Sequence, residues 1–352
     1  MFKTVFSIIL IVSSLYGENF KSPSAFLGYK LGDNFTYHHK VVSYFEHVSN
    51  TSSNVKLISY GKTYEGRPLL VAVISSEENM EMIEDLRMDN LKRAGIAKGQ
   101  ASNKKVGIVW LSYNVHGNEA NSTEAAMKTL YSLASKNNKK TQDWLKNTVV
   151  IIDPCINPDG RDRYTNWFRM TANRWPDADP LSIEHMEPWP GGRTNHYYFD
   201  LNRDWAWQTQ IESQSRIKLY NQWLPHIHVD FHEQGVNSPY FFAPAAEPFH
   251  EYITDWQREL QKMIGKNHSK YFDENSWLYF TKEVFDLLYP SYGDTYPTYN
   301  GAIGMTYEQA GHSRGGLAVE TEDGDTLTLN DRLTHHFTTG LSTIEVASNN
   351  VD

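Results

Sequence analysis

The sequence predicts an α/β domain in which a mixed, mostly parallel central sheet carries helices on both faces. Two runs, "KVGIVWLSYN" (105–114) and "NTVVIIDPCIN" (147–157), are continuously apolar, as strands buried on both sides are. Between them, Met127, Leu130, Leu133 and Ala134 recur at helical spacing. Strand, helix, strand is the rhythm of a parallel sheet. The chain has 352 residues, 40% of them hydrophobic, and shows no internal repeat or linker, so one large domain is expected.

The other elements follow in order. Lys3, an apolar run from Val5 to Val12 and the small residues Ser13, Ser14 and Gly17 read as a secretory signal peptide over residues 1–17. A secreted or periplasmic domain over 18–352 is then expected. The apolar run is too short to span a bilayer, so no stable membrane insertion is expected once the signal is removed. Residues 54–75 read as two strands joined by a glycine-containing turn. Asn121 with Glu124 three positions on resembles a capping box opening the helix of Met127. From 158 to 204 the pattern breaks down into a long loop rich in Pro, Gly, Trp and Asn, the kind that carries function. A helix is expected over about 205–223. In the strand "HIHVDFHEQG", Ile227, Val229 and Phe231 alternate with His226, His228, Asp230 and His232. A longer helix over about 247–272 would place Ile253, Trp256, Leu260 and Met263 on one stripe. An aromatic loop leads to a strand carrying Glu308, and a last helix carries Leu333, Phe337, Leu341 and Ile344.

Composition narrows the function. The formal net charge is −9 and the basic residues form no stripe, which argues against nucleic acid as a partner. A single cysteine, Cys155, excludes an internal disulfide framework.

The chemistry begins at "NVHGNEANSTEA" (114–125), where a turn leaving a central strand presents His116 and Glu119 three positions apart. Both side chains can reach one metal ion, and catalytic zinc takes three such protein ligands. The third should come from the carboxyl end of another strand. His232 is placed there, with His228, four residues earlier, as its rival. Asp230 reads as a structural residue or a support for the ligands. "INPDGRDRY", "WFRMT" and "DLNRDW" supply Arg169, Asn202 and Arg203 within one connection. Glu308, on a strand face with Gly304 and Thr306, is either a salt-bridged structural residue or a general base near an ion.

Together "HGNE", "NPDG", "WFRM", "LNRDW", "VDFHE" and "TYEQ", in this order, resemble the zinc carboxypeptidase (carboxypeptidase A-like) family, and its bacterial secreted members in particular. The resemblance runs from "YGKTYEGRPL" (60–69) to the final helix. It implies a carboxypeptidase-like (phosphorylase/hydrolase-like) fold, active without removal of a propeptide. It implies one Zn²⁺ per chain on His116, Glu119 and His232. Arg169 would polarise the scissile carbonyl, Asn202 and Arg203 would hold the terminal carboxylate of a peptide or protein, and Glu308 would be the general base. Tyr289 would cover the substrate, with Tyr292 and Tyr296 as alternatives in the same loop. Asp294 is either a solvated turn residue or a charge favouring basic C-terminal residues. Two other readings are an amidase or deacylase on a cell-wall substrate, and a non-catalytic peptide-binding relative.

Overall fold

The computed structural model describes residues 20–352, so the expected signal peptide lies outside it. Helices α1 (Pro23–Leu27) and α2 (His38–Thr51) lead into a hairpin of β1 (Val55–Lys62) and β2 (Pro68–Ile74). Then come α3 (Glu77–Glu81), α4 (Ile83–Arg93), β3 (Gly107–Tyr113), α5 (Asn121–Ala134), α6 (Lys139–Leu145) and β4 (Thr148–Asp153). Helix α7 (Pro158–Thr171) opens a long irregular segment with short 3-10 turns at Ile183–His185 and Leu201–Arg203. The rest is α8 (Ile211–Trp223), β5 (Ile227–Gln234), β6 (Tyr240–Phe241), α9 (Asp255–Asn275), β7 (Tyr279–Phe280), α10 (Thr295–Tyr299), β8 (Ile303–Ala310), the small pair β9 (Ala318–Glu320) and β10 (Thr326–Thr328), and α11 (Leu329–Asn349).

Eight strands form one sheet in the order β1-β2-β4-β3-β5-β8-β6-β7. The middle four, β4, β3, β5 and β8, are parallel, and antiparallel pairings flank them. On one face Val109, Leu111, Val229, Phe231, Met305 and Tyr307 pack against α2, α5, α9 and α11. On the other, Val71, Ile108, Trp110 and Ile151 meet α4 and α8 through Ile83, Leu86, Ile217 and Tyr220. Burial on both sides explains why these strands read as unbroken apolar runs.

Four expectations change. Residues 158–171 are helical: Asn157 accepts the Gly160 N–H and Pro158 occupies the first turn, both helix-start signals. Its apolar stripe is short, Tyr164, Trp167 and Phe168, because the first turns bury Asp159, Arg161, Asp162 and Thr165 instead. Arg67 of the hairpin grips that face through Asp159 (2.8 Å) and Asp162 (2.9 Å). The helix expected from 205 starts at Ile211, because Asp204 draws the N–H groups of Thr209 and Gln210 into a turn first. The helix expected from 247 starts at Asp255, behind a Thr254–Gln257 capping box; Trp256 is exposed, and Leu260, Ile264 and Phe272 form the buried stripe. No capping box opens α5, because Glu124 is taken up by the Thr36 N–H (2.7 Å) and Arg161 (2.6 Å).

Candidate metal centre

The site lies at the carboxyl ends of β3, β5 and β8. Asn114, at φ +57°, turns the chain off β3, and its side-chain amide donates to the carbonyls of His116 (2.7 Å) and Glu119 (3.0 Å). The turn folds both side chains back toward β5. His116 Nδ1 lies 2.8 Å from Glu119 Oε1, His232 Nδ1 lies 3.0 Å from Glu119 Oε2, and the two Nδ1 atoms are 3.2 Å apart. All three side chains are buried. Ligand atoms of a tetrahedral zinc, each about 2.0–2.2 Å from the ion, sit roughly 3.3 Å from one another. The His–Glu–His set therefore fits a zinc ion in both chemistry and spacing.

Carboxylates hold the far side of each ring. Asp200 Oδ1 lies 3.0 Å from His116 Nε2, and Asp230 Oδ2 lies 3.0 Å from His232 Nε2. The second approach is off the line of a good hydrogen bond, so it is an ion-pair contact, and the Asn202 amide nitrogen lies 3.3 Å from the same Nε2. Occupying Nε2 leaves Nδ1 for a metal. The electrostatics agree. Burial alone would raise the Glu119 carboxyl, but His116 and His232 overcome it and hold the group well below its usual range. Burial would lower His232, but Asp230 and Glu119 raise it well above.

Beside the triad is a cavity of about 360 Å³ whose walls include Arg193, Asn202, Arg203, Tyr292, Asp294 and Glu308. Glu308 pairs with His232 across β8 and β5. Burial, with a further push from Glu119, carries its carboxyl up to about 8 against the pull of His232. Asn202 accepts the Gly293 N–H (2.8 Å), and the Arg203 guanidinium lies 4.4 Å from the Tyr292 ring centre. Asp294 is buried, not a solvated turn residue, and burial pushes it up to about 6.

Two sequence-predicted residues are elsewhere. Arg169 rests on the Tyr37 ring at 4.4 Å and donates to the Phe35 carbonyl (3.0 Å). Helix α7 starts beside the site, where Gly160 meets Gly117, and carries Arg169 roughly 16 Å along its axis from Pro158. Arg193 takes the near position, 3.4 Å from Glu119 Oε1 and 3.0 Å from Asp200. Tyr289 stands behind the wall, accepting from Trp207 Nε1 (3.0 Å) and packed on Tyr292, the ring that lines the cavity. His228, the rival ligand, is wedged deeper between Trp205 and Tyr220.

What places Arg193 is a junction of three glycines. A Cβ on Gly117 would lie 2.2 Å from the Gly160 carbonyl carbon and 2.5 Å from Gly192 O; one on Gly160 would lie 2.2 Å from Gly192 O. The turn that carries His116 and Glu119, the start of α7 and the loop before Arg193 thus meet backbone to backbone, which only glycine permits. The "GGR" sequence was the available signal for Arg193.

The sequence matches the family described as zinc carboxypeptidase over residues 41–301. Among curated proteins no sequence match is found. Solved structures share the fold at low identity. A metallo-carboxypeptidase from Burkholderia cenocepacia aligns at TM-score 0.62 and 14% identity, covering 89% of this chain and 70% of its own. A metallo-carboxypeptidase from Pseudomonas aeruginosa, in complex with (2-guanidinoethylmercapto)succinic acid, aligns at 0.58 and 12%, covering 89% and 68%. Carboxypeptidase A from Helicoverpa armigera aligns at 0.56 and 15%, covering 90% and 74%. With most of its length matched by the family pattern and its fold shared with these enzymes, the chain belongs to the zinc carboxypeptidase family.

Proposed function

We propose that the protein is a metallocarboxypeptidase that removes the C-terminal residue of a peptide. One observation carries the reading: the His116–Glu119–His232 set, a buried acid and two arginines share one cavity. Zinc bound by the triad would polarise the scissile carbonyl and lower the pKa of the attacking water. The remaining steps fall to side chains. Glu308, whose ionised form the charge of a bound zinc would favour over the protonated one, accepts the proton that water loses as its oxygen bonds to the carbonyl carbon. It delivers that proton to the amide nitrogen as the C–N bond breaks, so it ends as it began. Arg193 meets the negative charge that develops on the carbonyl oxygen. Arg203 and Asn202 hold the terminal carboxylate, the arginine through its planar pair of donors. A mid-chain peptide offers no carboxylate there, which makes the reaction terminal.

The buried Asp294 in the same wall favours a cationic side chain on the departing residue. A second reading rests on the exposed rings of Trp189, Tyr197, Tyr198, Phe199 and Trp207 in the adjoining segment. Such faces suit sugars, and cell-wall stem peptides also end in a carboxylate. The deciding experiment is a C-terminal ladder read by mass spectrometry on mixed peptides and on muropeptides, with the zinc content of the same preparation. Stepwise loss of residues, Lys and Arg first, ended by a chelator and restored by zinc, is expected. Loss of internal fragments or no metal uptake would refute the proposal.

A further inference from the structure

Beneath the metal centre the sheet carries a polar row. Asp153 of β4, Ser112 of β3, Asp230 of β5 and Thr306 of β8 are neighbours in register across the four parallel strands. One step below, the apolar core resumes with Ile151 and Trp110. Arg216 of α8 is 0% exposed, its guanidinium 3.7 Å from the centre of the Trp205 ring, and the Nε1 of that ring borders the same Gly293 as Asp230 Oδ2. Among the described residues no protein acceptor reaches any of its three nitrogens. Ser112 Oγ, Ser213 Oγ, Asp153 Oδ1 and both Asp230 oxygens likewise lack a protein hydrogen-bond partner. Burial lowers the proton affinity of the guanidinium, and the charges of Asp230, Asp153 and Asp204 oppose it. Gly293 closes the layer: a Cβ there would fall 1.7 Å from Asp230 Oδ2.

A buried guanidinium is retained only with compensating partners, and donors and acceptors that face one another beyond direct reach are joined by water. We propose that this layer is a hydrated electrostatic support for the metal centre, in which water bridges Arg216 to Asp230 and Asp153, and Asp230 so anchored keeps His232 Nδ1 turned to the ion. Arg216 touches neither metal nor substrate; it is a positioning residue, acting through Asp230. The arrangement opposite differs: Asp200, behind His116, is backed directly by Arg193 at 3.0 Å. One ligand is thus supported from the cavity wall and the other from inside the domain.

The inference rests on the triad binding zinc, so zinc uptake by the wild-type protein is measured first. Arg216→Met is then expected to weaken zinc binding about 10–100-fold in a chelator competition. In the zinc-loaded protein it should also disturb the His232 Nε2–H tautomer seen by ¹⁵N NMR, a signature that simple loss of stability does not move. Arg216→Lys should restore part of the affinity. Asp230→Asn should weaken binding as well, and adding R216M to it should cost little more, since both act on one path. Wild-type uptake with affinity and tautomer unchanged in folded R216M overturns the inference and leaves the metal reading intact; absence of uptake by the wild type removes both. Where R216M does not fold, unchanged affinity in D230N overturns it equally.

Discussion

The two ends of the cavity are built differently. At the metal end His116, Glu119 and His232 are 3%, 1% and 2% exposed, and each is held by at least two other polar groups. At the outer end Val284 lines the cavity and is 77% exposed, and Trp207, 60% exposed, reaches the wall through Tyr289, which packs on Tyr292. The inner end fixes geometry by over-determination: His116, Glu119 and His232 are each oriented by another buried group. The rim offers area and rings without fixing a pose. Chemistry and substrate choice are therefore separable, and changes at the rim should alter which chain ends are cut before they alter how.

The sharpest break of that contrast is Glu308→Gln. It keeps the shape of the inner wall and removes the proton carrier, so kcat should fall about 10²–10⁴-fold with zinc content unchanged. A variant that retains its rate would remove Glu308 from the reaction. Next is a pair of arginines. Arg193→Ala should cost about 10²–10³ in kcat, as loss of a donor to the developing charge does. Arg169→Ala, whose guanidinium rests on Tyr37, should stay within about threefold in the same assay. The reverse ranking would restore Arg169 to the site.

The smallest effect concerns stability. Asp153 is fully buried, and burial pushes its carboxyl up to about 7. An unfolded chain holds it near 3.9. Between these values the native state keeps a proton that the unfolded state releases, so stability falls as pH rises through the window, by up to about 1.4 kcal/mol per pH unit. Asp153→Asn should flatten that slope in urea melts run at several pH values. An unchanged slope would show that Asp153 is ionised in the fold.

The strands were legible because burial on both faces leaves a one-dimensional trace, the unbroken apolar run. The His–Glu turn and the third histidine were legible because strand ends fix where their side chains go. Helix α7 was not, since the first half of its inward face is salt-bridged and polar and its apolar signal is confined to Tyr164, Trp167 and Phe168. Arg193 was missed for a different reason. Its position depends on how a long irregular segment folds back, and neighbours in space there are far apart in the chain. Asp200 is 84 residues from His116, and nothing local to either announces their contact. The polar row with Arg216 was hidden because register across four strands is a property of the sheet, not of any one run.

The glycine junction has a consequence for how this protein can be altered. Because Gly117, Gly160 and Gly192 touch through main-chain atoms alone, the junction behaves as a rivet joining three segments far apart in the chain. Insertions on the outer side of the 172–191 segment would leave the rivet seated and could re-contour the cavity mouth. A single methyl group at any of the three positions would pry the first ligand, the α7 start and the charge-bearing arginine apart in one move. Libraries that randomise these three codons should return glycine alone among active clones, while the segment between them accepts new lengths and new chemistry.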